Sequence, residues 1–198
     1  MDQIWPNRVD RSWRRSTTYF DTFDWRLLAA ASTLWSEEGL RSPILYLQPS
    51  DASPVLQTKI SRSPGFVWDL PQGPLREFIA PVVGVRRLLD ITSIRARGSV
   101  LRVLDRREKT VAMLRFERLE ASTALGCIKR AELCQSVTLI PIRGYNDTFD
   151  KLRISLQKDF GLRRLNLPEH VEAARVLGLE PGGYSKKLDT DLDAATGA

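Results

Sequence analysis

The sequence predicts an α+β fold in which many antiparallel strands carry a few helices on the outside. Short runs of β-branched and aromatic residues recur between turn clusters, and fewer segments have helical periodicity. The clearest strand is 110–119, where Leu114 and Phe116 lie on one face and Arg115 and Glu117 on the other. This alternation fits a barrel with a wet interior. It also fits a sheet with one solvated face, which is the commoner arrangement.

The patterns predict the following elements in chain order. Strands are expected at residues 16–20, 32–37, 43–48, 55–60, 91–97, 99–104, 110–119 and 137–142. Helices are expected at 23–30, 74–80, 147–160 and 168–177. Pro81 is expected to break or restart the second helix, and Gly98 to form a tight link between two strands. The segment 105–109 is expected to be a charged hairpin turn.

The composition is that of a globular protein with one main domain. The chain has 198 residues, of which 42% are apolar and 27% charged. No run approaches the roughly 18 apolar residues that span a bilayer, and no apolar signal segment follows the first residues, so we expect no membrane association. Cys127 and Cys134 lack zinc-site spacing, and two cysteines do not form a disulfide framework. A cytoplasmic location is therefore expected.

The positive charge is concentrated in one part of the chain. Residues 86–118 hold ten cations, nine of them Arg, against four carboxylates, and this excess equals the +6 of the whole chain. The planar guanidinium fork suits phosphate oxygens. Such a block is equally compatible with a solvated basic face, so charge alone leaves both interpretations open.

The most specific segment is a strand-to-helix corner at 18–28. Thr18 to Phe20 are typical of a strand end, and Asp21 and Thr22 offer oxygens to the N–H groups of a helix start. Asp24 places a negative charge in the first helical turn, where the helix dipole favours it. Leu27 is expected to turn the helix back onto the apolar core.

This corner resembles that of the CYTH family, the triphosphate tunnel enzymes, and its Asp-Trp-Arg-Leu form is most similar to the CYTH-like region ahead of CHAD domains. Further likenesses lie in 71–89, 141–145 and 181–188. The resemblance implies a closed antiparallel β-barrel of about eight strands over residues 16–188. The polar residues 1–15 are expected to form an N-terminal arm, and the small and acidic residues 189–198 a disordered tail. The resemblance also implies structural motif roles for Tyr19, Asp21, Thr22, Asp24 and Leu27.

The sequence departs from the family's catalytic pattern in three places. Active members open with a Glu-x-Glu-x-Lys strand that holds a divalent metal, whereas the first glutamate here is Glu37, after the corner. The strand 32–37 lacks the phosphate-gripping arginines of active members, and the strand 137–142 lacks their late acidic ligands. Hydrolysis of a triphosphate needs carboxylate-held Mg²⁺ or Mn²⁺. No catalytic or metal-binding residue is therefore assigned, and Mg²⁺ or Mn²⁺ is expected only if hydrolysis persists.

The leading hypothesis is a non-catalytic CYTH-like module that binds polyanions, inorganic polyphosphate by family resemblance, in association with a CHAD domain. The candidate binding residues are cations assigned to predicted strands, and a one-residue slip would reverse their face. They are Lys59, Arg95, Arg97, Arg102, Arg115 and Arg143.

Three alternatives remain open from the sequence. The first is a structural or protein-interaction module with no phosphate ligand. The second is a divergent phosphohydrolase that uses Glu37, Glu38 or Glu117. Nucleic-acid binding is disfavoured because the basic block has few aromatics to stack bases. His170, the only histidine, is expected to be an exposed residue in the first turn of the last helix.

Overall fold

A computed structural model describes residues 6–9, 12–38, 43–49, 53–123, 125, 129–133, 135–165 and 167–183. The two cysteines and the predicted tail at 189–198 lie outside these residues, as does the side chain of Glu38. Among the described residues, no helix has the length and apolarity needed to cross a bilayer.

The described part contains nine strands and four α-helices. The strands are β1 (Asn7–Val9), β2 (Trp13–Asp21), β3 (Thr33–Glu38), β4 (Ile44–Gln48), β5 (Leu56–Lys59), β6 (Leu89–Leu104), β7 (Thr110–Thr123), β8 (Lys129–Glu132) and β9 (Ser136–Pro141). The helices are α1 (Arg26–Ala29), α2 (Pro74–Val83), α3 (Asn146–Lys158) and α4 (Glu169–Val176). A 3-10 turn, Val67–Asp69, precedes α2.

The strands form one antiparallel sheet in the order β5-β4-β3-β2-β6-β7-β8, with β1 paired to β6 and β9 paired to β7. The α+β class and the tunnel-like antiparallel architecture are confirmed, with nine strands in place of about eight. No pairing joins β5 to β8 or β9 in the described part, so the sheet is open there and not the closed barrel that the resemblance implied.

The register assigns alternate residues of β2, β6 and β7 to two faces. We name the side on which α4 packs the α4 face, and the other side the opposite face. The α4 face carries Arg15, Ala96 and Leu119, and the opposite face carries Arg14, Arg97 and Arg118.

Helices cover both faces, but at different places. On the opposite face, α1 and α2 enclose an apolar core at one end that includes Phe20, Leu34 and Ile79. At the other end of that face, Leu152 of α3 packs with Leu114. On the α4 face, the main apolar partners of α4 come from β6 and β7. The middle of the opposite face is left to exposed side chains.

The corner after β2 has the predicted hydrogen bonds. Thr22 Oγ1 accepts from the N–H of Arg26 at 3.0 Å, and the two carboxylate oxygens of Asp21 accept from the N–H groups of Leu27 and Leu28 at 2.9 Å. Burial raises the pKa of Asp21, although these backbone donors act in the opposite direction. The corner therefore satisfies the open end of α1 with side-chain oxygens.

The predicted bounds of this helix are wrong: α1 begins at Arg26 rather than at residue 23, so Asp24 precedes the helix instead of lying in its first turn. Asp24 and Leu27 nevertheless have structural positions in this corner. The Asp24 carboxylate pairs with Arg26 at 3.0 Å and with Arg86 at 3.7 Å, which ties the corner to the segment after α2. Leu27 is 1% exposed within the core under α1 and α2.

The prediction at Gly98 is wrong. Residues 89–104 form one continuous strand, and Gly98 lies within it rather than in a link between two strands. A Cβ at this position would lie 1.8 Å from the carbonyl oxygen of Phe116, so glycine is required by close approach of β6 and β7. Glycine marks tight turns and close backbone contacts alike, and sequence alone does not distinguish them.

Other boundaries also differ from the sequence predictions. Helix α2 continues through Pro81 to Val83 instead of stopping before it. The short strands β1 and β8 were not predicted, because each has only three or four mostly exposed residues. The turn at 105–109 is present: Asp105 Oδ1 accepts from the N–H groups of Arg107 and Lys109, and Glu108 has a φ of 60°.

Candidate functional site

A buried carboxylate organises the charged side chains of the α4 face. The side chain of Glu117 on β7 is 2% exposed. Its Oε1 accepts from Nε and Nη2 of Arg15 at 3.4 Å, and its Oε2 accepts from Nε of Arg115 at 3.1 Å and from Thr138 at 3.4 Å. Residues from β2, β7 and β9 therefore meet at one carboxylate because the register places them on the same face.

Arg15 also connects the sheet to α4. Its Nη2 donates to both oxygens of Glu169 at 3.0 Å, and its Nη1 donates to Thr17 at 3.0 Å. Burial acts to lower the pKa of Arg15, but the facing carboxylates, Glu169 foremost, outweigh it and raise the pKa. Arg15 is thus a fully ionised group held between Glu117 and Glu169.

Tyr19 and His170 form the neighbouring contact between β2 and α4. Their rings stack with centroids 4.8 Å apart, so the expectation of an exposed His170 is wrong. Burial lowers the pKa of His170 to about 4. Burial, reinforced by the carboxylate of Glu169, raises the pKa of the Tyr19 phenol to about 12. Both rings are therefore uncharged near neutral pH and contribute packing rather than charge.

A cavity of about 520 Å³ opens beside this network. Its lining includes Glu117, Glu169, Glu172, Arg163 and Arg164, next to apolar residues of β7 and of the loop before α4. The lining thus mixes charges of both signs. A small ligand would meet carboxylates here as well as cations.

The fold resemblance implies a divalent metal, and the residues present do not fit one. Among the described residues, no group of three or more His, Cys, Asp or Glu side chains is placed to hold a metal ion. Both oxygens of Glu117 accept from cationic or hydroxyl donors. Metal coordination requires such oxygens to face an open position, so this carboxylate orients arginines instead.

The structure divides the six candidate cations among different surfaces. The register places Lys59, Arg102 and Arg115 on the α4 face. Arg95 and Arg97 lie on the opposite face. Arg143 is exposed in the turn after β9, not on a strand. The candidates therefore do not form one site.

Arg115 is the candidate with the most defined surroundings. Its guanidinium lies 5.2 Å from the ring centroid of Trp13, in addition to its contact with Glu117. Lys59 is exposed at the end of β5, and its register row continues through Ile44 and Glu37 to Thr17. Arg115 is thus fixed in place, whereas Lys59 lies several strands away.

Sequence reasoning missed Arg15 and Glu169. Arg15 falls within the predicted N-terminal arm at 1–15, and no role is predicted for Glu169. The available signal was alternation in β2, which places Trp13, Arg15, Thr17 and Tyr19 on one face once the strand is extended backwards. Nothing in the sequence indicated that α4 would dock on this face.

Comparison with known proteins identifies the fold. The sequence matches no family model and no curated protein. Its structure is similar to a putative adenylate cyclase from Bacillus halodurans, with 13% identity, a TM-score of 0.50 and 80% coverage of each chain. It is also similar to HpAC1 from Hippeastrum, a putative adenylyl cyclase described as having a dominant triphosphatase activity. That match has 12% identity, a TM-score of 0.52 and coverage of 88% of this chain and 87% of the other.

These similarities define a tunnel-type antiparallel α+β fold. The chain has the CYTH-like fold of the triphosphate tunnel proteins, as the corner motif predicted. At this level of identity the similarity is one of fold, and the function has to be argued from the residues of the site.

Proposed function

We propose that this chain is a polyanion-binding module that uses the CYTH-like fold without its hydrolytic chemistry, with inorganic polyphosphate as the ligand class. The observation that carries the proposal is the arrangement around Glu117. One buried carboxylate holds two arginines, Arg15 and Arg115, side by side on the α4 face. Preorganised guanidinium groups are the donors best suited to phosphate oxygens.

Arg115 is the more available of the two arginines. Its side chain is 33% exposed, and within the described part only its Nε donates a hydrogen bond. The terminal amino groups of the guanidinium are therefore left to donate to a phosphate, while Glu117 and Trp13 fix its plane. Arg102 lies on the same face at the far end of β6 and supplies further positive charge.

The lack of hydrolysis follows from the role of the carboxylate. Glu117 directs its oxygens to cations, so it supplies a counter-charge for Arg15 and Arg115 and not a ligand for Mg²⁺ or Mn²⁺. A bound phosphate chain would be neutralised by guanidinium groups but would lack the metal that polarises a leaving oxygen. The proposal is therefore binding without turnover.

A direct test measures binding of tripolyphosphate and of long-chain polyphosphate at about 0.15 M salt, with and without Mg²⁺, while phosphate release is monitored. We expect salt-sensitive binding and no catalytic release. Replacing Arg102 and Arg115 by Gln should weaken binding of both ligands, with Lys151→Gln and Lys158→Gln on α3 as a charge-matched control. Binding no stronger than that of an unrelated protein of equal charge would contradict the proposal.

The activity described for HpAC1 supports a second candidate, a divergent triphosphatase. Its available carboxylates are Glu37, which faces Thr17 across β2 and β3, and Glu117. This candidate predicts Mg²⁺- or Mn²⁺-dependent phosphate release in the same assay. Release that disappears in Glu37→Gln would establish it and replace the binding-only proposal.

A protein partner is the third possibility. The mixed charge of the cavity and the ion-paired state of Arg15 are compatible with a structural module that binds no phosphate. The likeness of the corner to modules that precede CHAD domains supports a CHAD domain as the partner. Co-purification with a separately expressed CHAD domain, compared with and without polyphosphate, tests whether partner binding depends on the ligand.

A further inference from the structure

We propose that Arg14, Arg97 and Arg118 form a second polyphosphate-binding surface, on the opposite face of the sheet from the Glu117 network. We name this set the arginine row. The inference rests on the proposed polyanion-binding function and adds to it a site specific for long chains. Neither Arg14 nor Arg118 was among the candidates from the sequence.

The arginine row is a direct consequence of strand register. Arg14 of β2 is opposite Arg97 of β6, and Arg97 is opposite Arg118 of β7. The three side chains therefore emerge on one face from three adjacent strands. Neighbouring strands are about 4.8 Å apart, so the row spans about 10 Å across the sheet. All three residues are exposed.

Within the described part of the chain, no carboxylate contacts the positive charge of the row. Among the described residues, none of the three arginines takes part in an ion pair, in contrast to Arg15 and Arg115 on the other side of the same strands. The nearest carboxylate along β7 on this face, Glu120, is opposite Arg95 in the next register row. Like charges placed directly opposite each other destabilise a sheet, and an external anion would remove that repulsion.

The surface around the row is accessible. Helices α1 and α2 cover the opposite face near Phe20, and α3 covers it near Leu114. No other described element covers the centre of β2, β6 and β7 between them on this face. A side chain two residues from Arg118, Phe116, is 41% exposed on the same face. An extended chain can therefore lie across the strands without displacing a helix.

The spacing favours a ligand with closely spaced charges. A polyphosphate carries negative charge on every unit, with no sugar or base between units, so it can place several charges within about 10 Å. Single-stranded nucleic acid is normally bound by several aromatic side chains on which successive bases stack. On this face Phe116 alone is exposed beside the row within the described part. Polyphosphate is therefore the ligand class we assign.

The test compares two charge-matched triple variants of the full chain. One is Arg14→Gln, Arg97→Gln and Arg118→Gln. The control is Arg106→Gln, Arg107→Gln and Lys158→Gln, which removes the same charge from exposed positions of the hairpin and α3. Binding of long-chain polyphosphate and of tripolyphosphate is measured over a range of salt concentrations. Thermal unfolding shows that each variant is folded.

We expect the row variant to bind long chains on the order of tenfold more weakly, since three exposed ion pairs are lost. The slope of log K against log salt should fall by about 2. Tripolyphosphate binding and the control variant should change by less than about threefold. A variant with lysine at the three positions keeps the positive charge but lacks the planar guanidinium group. Its affinity should lie between those of the unmodified chain and the glutamine variant.

Several outcomes would overturn the assignment. Unchanged long-chain binding in the row variant would show that the row is not used. An equal loss of binding in the control variant would show that the effect comes from total charge and not from the row. Equal affinity of the unmodified chain for a single-stranded oligonucleotide would show that the row is not specific for polyphosphate. A different result would contradict the proposed function but not the row as a binding site. In that case the unmodified chain would bind an oligonucleotide but no polyphosphate, and the row variant would lose the oligonucleotide binding.

Discussion

The arginines on the two faces of β2, β6 and β7 differ in whether they contact a carboxylate. On the α4 face, Arg15 and Arg115 contact the buried carboxylate of Glu117, and Arg15 also contacts Glu169 of α4. On the opposite face, Arg14, Arg97 and Arg118 stand in one register row with no ion pair to another described residue. Arg14 and Arg15 are adjacent in sequence and yet belong to different surfaces.

This difference shows that charge density along a sequence does not locate a binding site. The basic block from 86 to 118 supplies cations to both faces, because successive residues of a strand point to opposite sides. On one face carboxylates neutralise and orient the cations. On the other face nothing in the described part does so, which leaves them to interact with solvent or with a ligand.

The largest expected effect on stability comes from replacing Gly98, where the central strands β6 and β7 approach closely. Gly98→Ala places a Cβ 1.8 Å from the Phe116 carbonyl oxygen, so the central strands β6 and β7 must separate. We expect the free energy of unfolding to fall by about 3 kcal/mol, as measured by urea denaturation. Ser99→Ala, at the next position of the strand, is the control and should change stability by less than about 0.5 kcal/mol. Equal effects of the two substitutions would contradict the close approach.

The second prediction tests the organising role of Glu117. Glu117→Gln removes the charge that faces Arg15 and Arg115, and we expect a loss of about 2 kcal/mol of unfolding free energy. That figure is below the usual cost of breaking a fully buried pair, because the Arg side chains are 19% and 33% exposed. Glu120→Gln, on the same strand but the opposite face, should change stability by less than about 0.5 kcal/mol. A similar loss in both variants would remove the distinction between the faces.

The third prediction concerns the pH dependence of α4 docking. The pKa of His170 is about 4 in the folded chain against 6.5 for a free histidine, because burial disfavours the charged ring. Between pH 6.5 and 4 the unfolded state binds more protons than the folded state, so stability falls as the pH is lowered through this range. We expect a contribution of about 1 to 2 kcal/mol, since the ring is only partly buried.

His170→Phe keeps the stacking on Tyr19 and removes the titration. The difference in unfolding free energy between this variant and the unmodified chain should therefore change between pH 6.5 and 4 and stay constant above pH 7. A difference that is independent of pH would show that His170 is not buried against Tyr19 in solution.

The smallest expected effect distinguishes the two arginines of the α4 face. Glu169→Gln removes the contact between α4 and Arg15, and its cost should be at most about 1 kcal/mol because both side chains are partly exposed. Releasing Arg15 should increase the affinity for tripolyphosphate by about two- to threefold. The affinity is measured by calorimetry. The control is Glu172→Gln, on the same helix, since Glu172 forms no ion pair with another described residue.

An unchanged affinity in Glu169→Gln would locate the anion elsewhere than at Arg15. An equal increase in the Glu172→Gln control would instead indicate a general effect of removing negative charge near the cavity. In the first case, the arginine row on the opposite face would account for a larger share of the binding.

Local structure could be predicted from the sequence wherever short-range chemistry is decisive. The capping oxygens of Asp21 and Thr22 predicted a helix after β2, although it begins at Arg26 rather than at residue 23. The last helix was predicted at 168–177 and lies at Glu169–Val176, within one residue at each end. The corner motif was specific enough to predict the CYTH-like fold, which the similarity to solved structures confirmed. These features depend on residues that are close together in the chain.

The contacts between charged side chains, by contrast, depend on how distant parts of the chain come together. Arg15 and Glu117 are 102 positions apart, and Arg15 and Glu169 are 154 apart, so their contacts depend on strand register and on where α4 docks. The same register separated Arg95 and Arg97 from Arg102 and Arg115, although all four belong to one basic block. Adjacent residues of a strand always point to opposite faces of the sheet. The pairing of distant strands decides whether an arginine lies next to a carboxylate or next to another arginine.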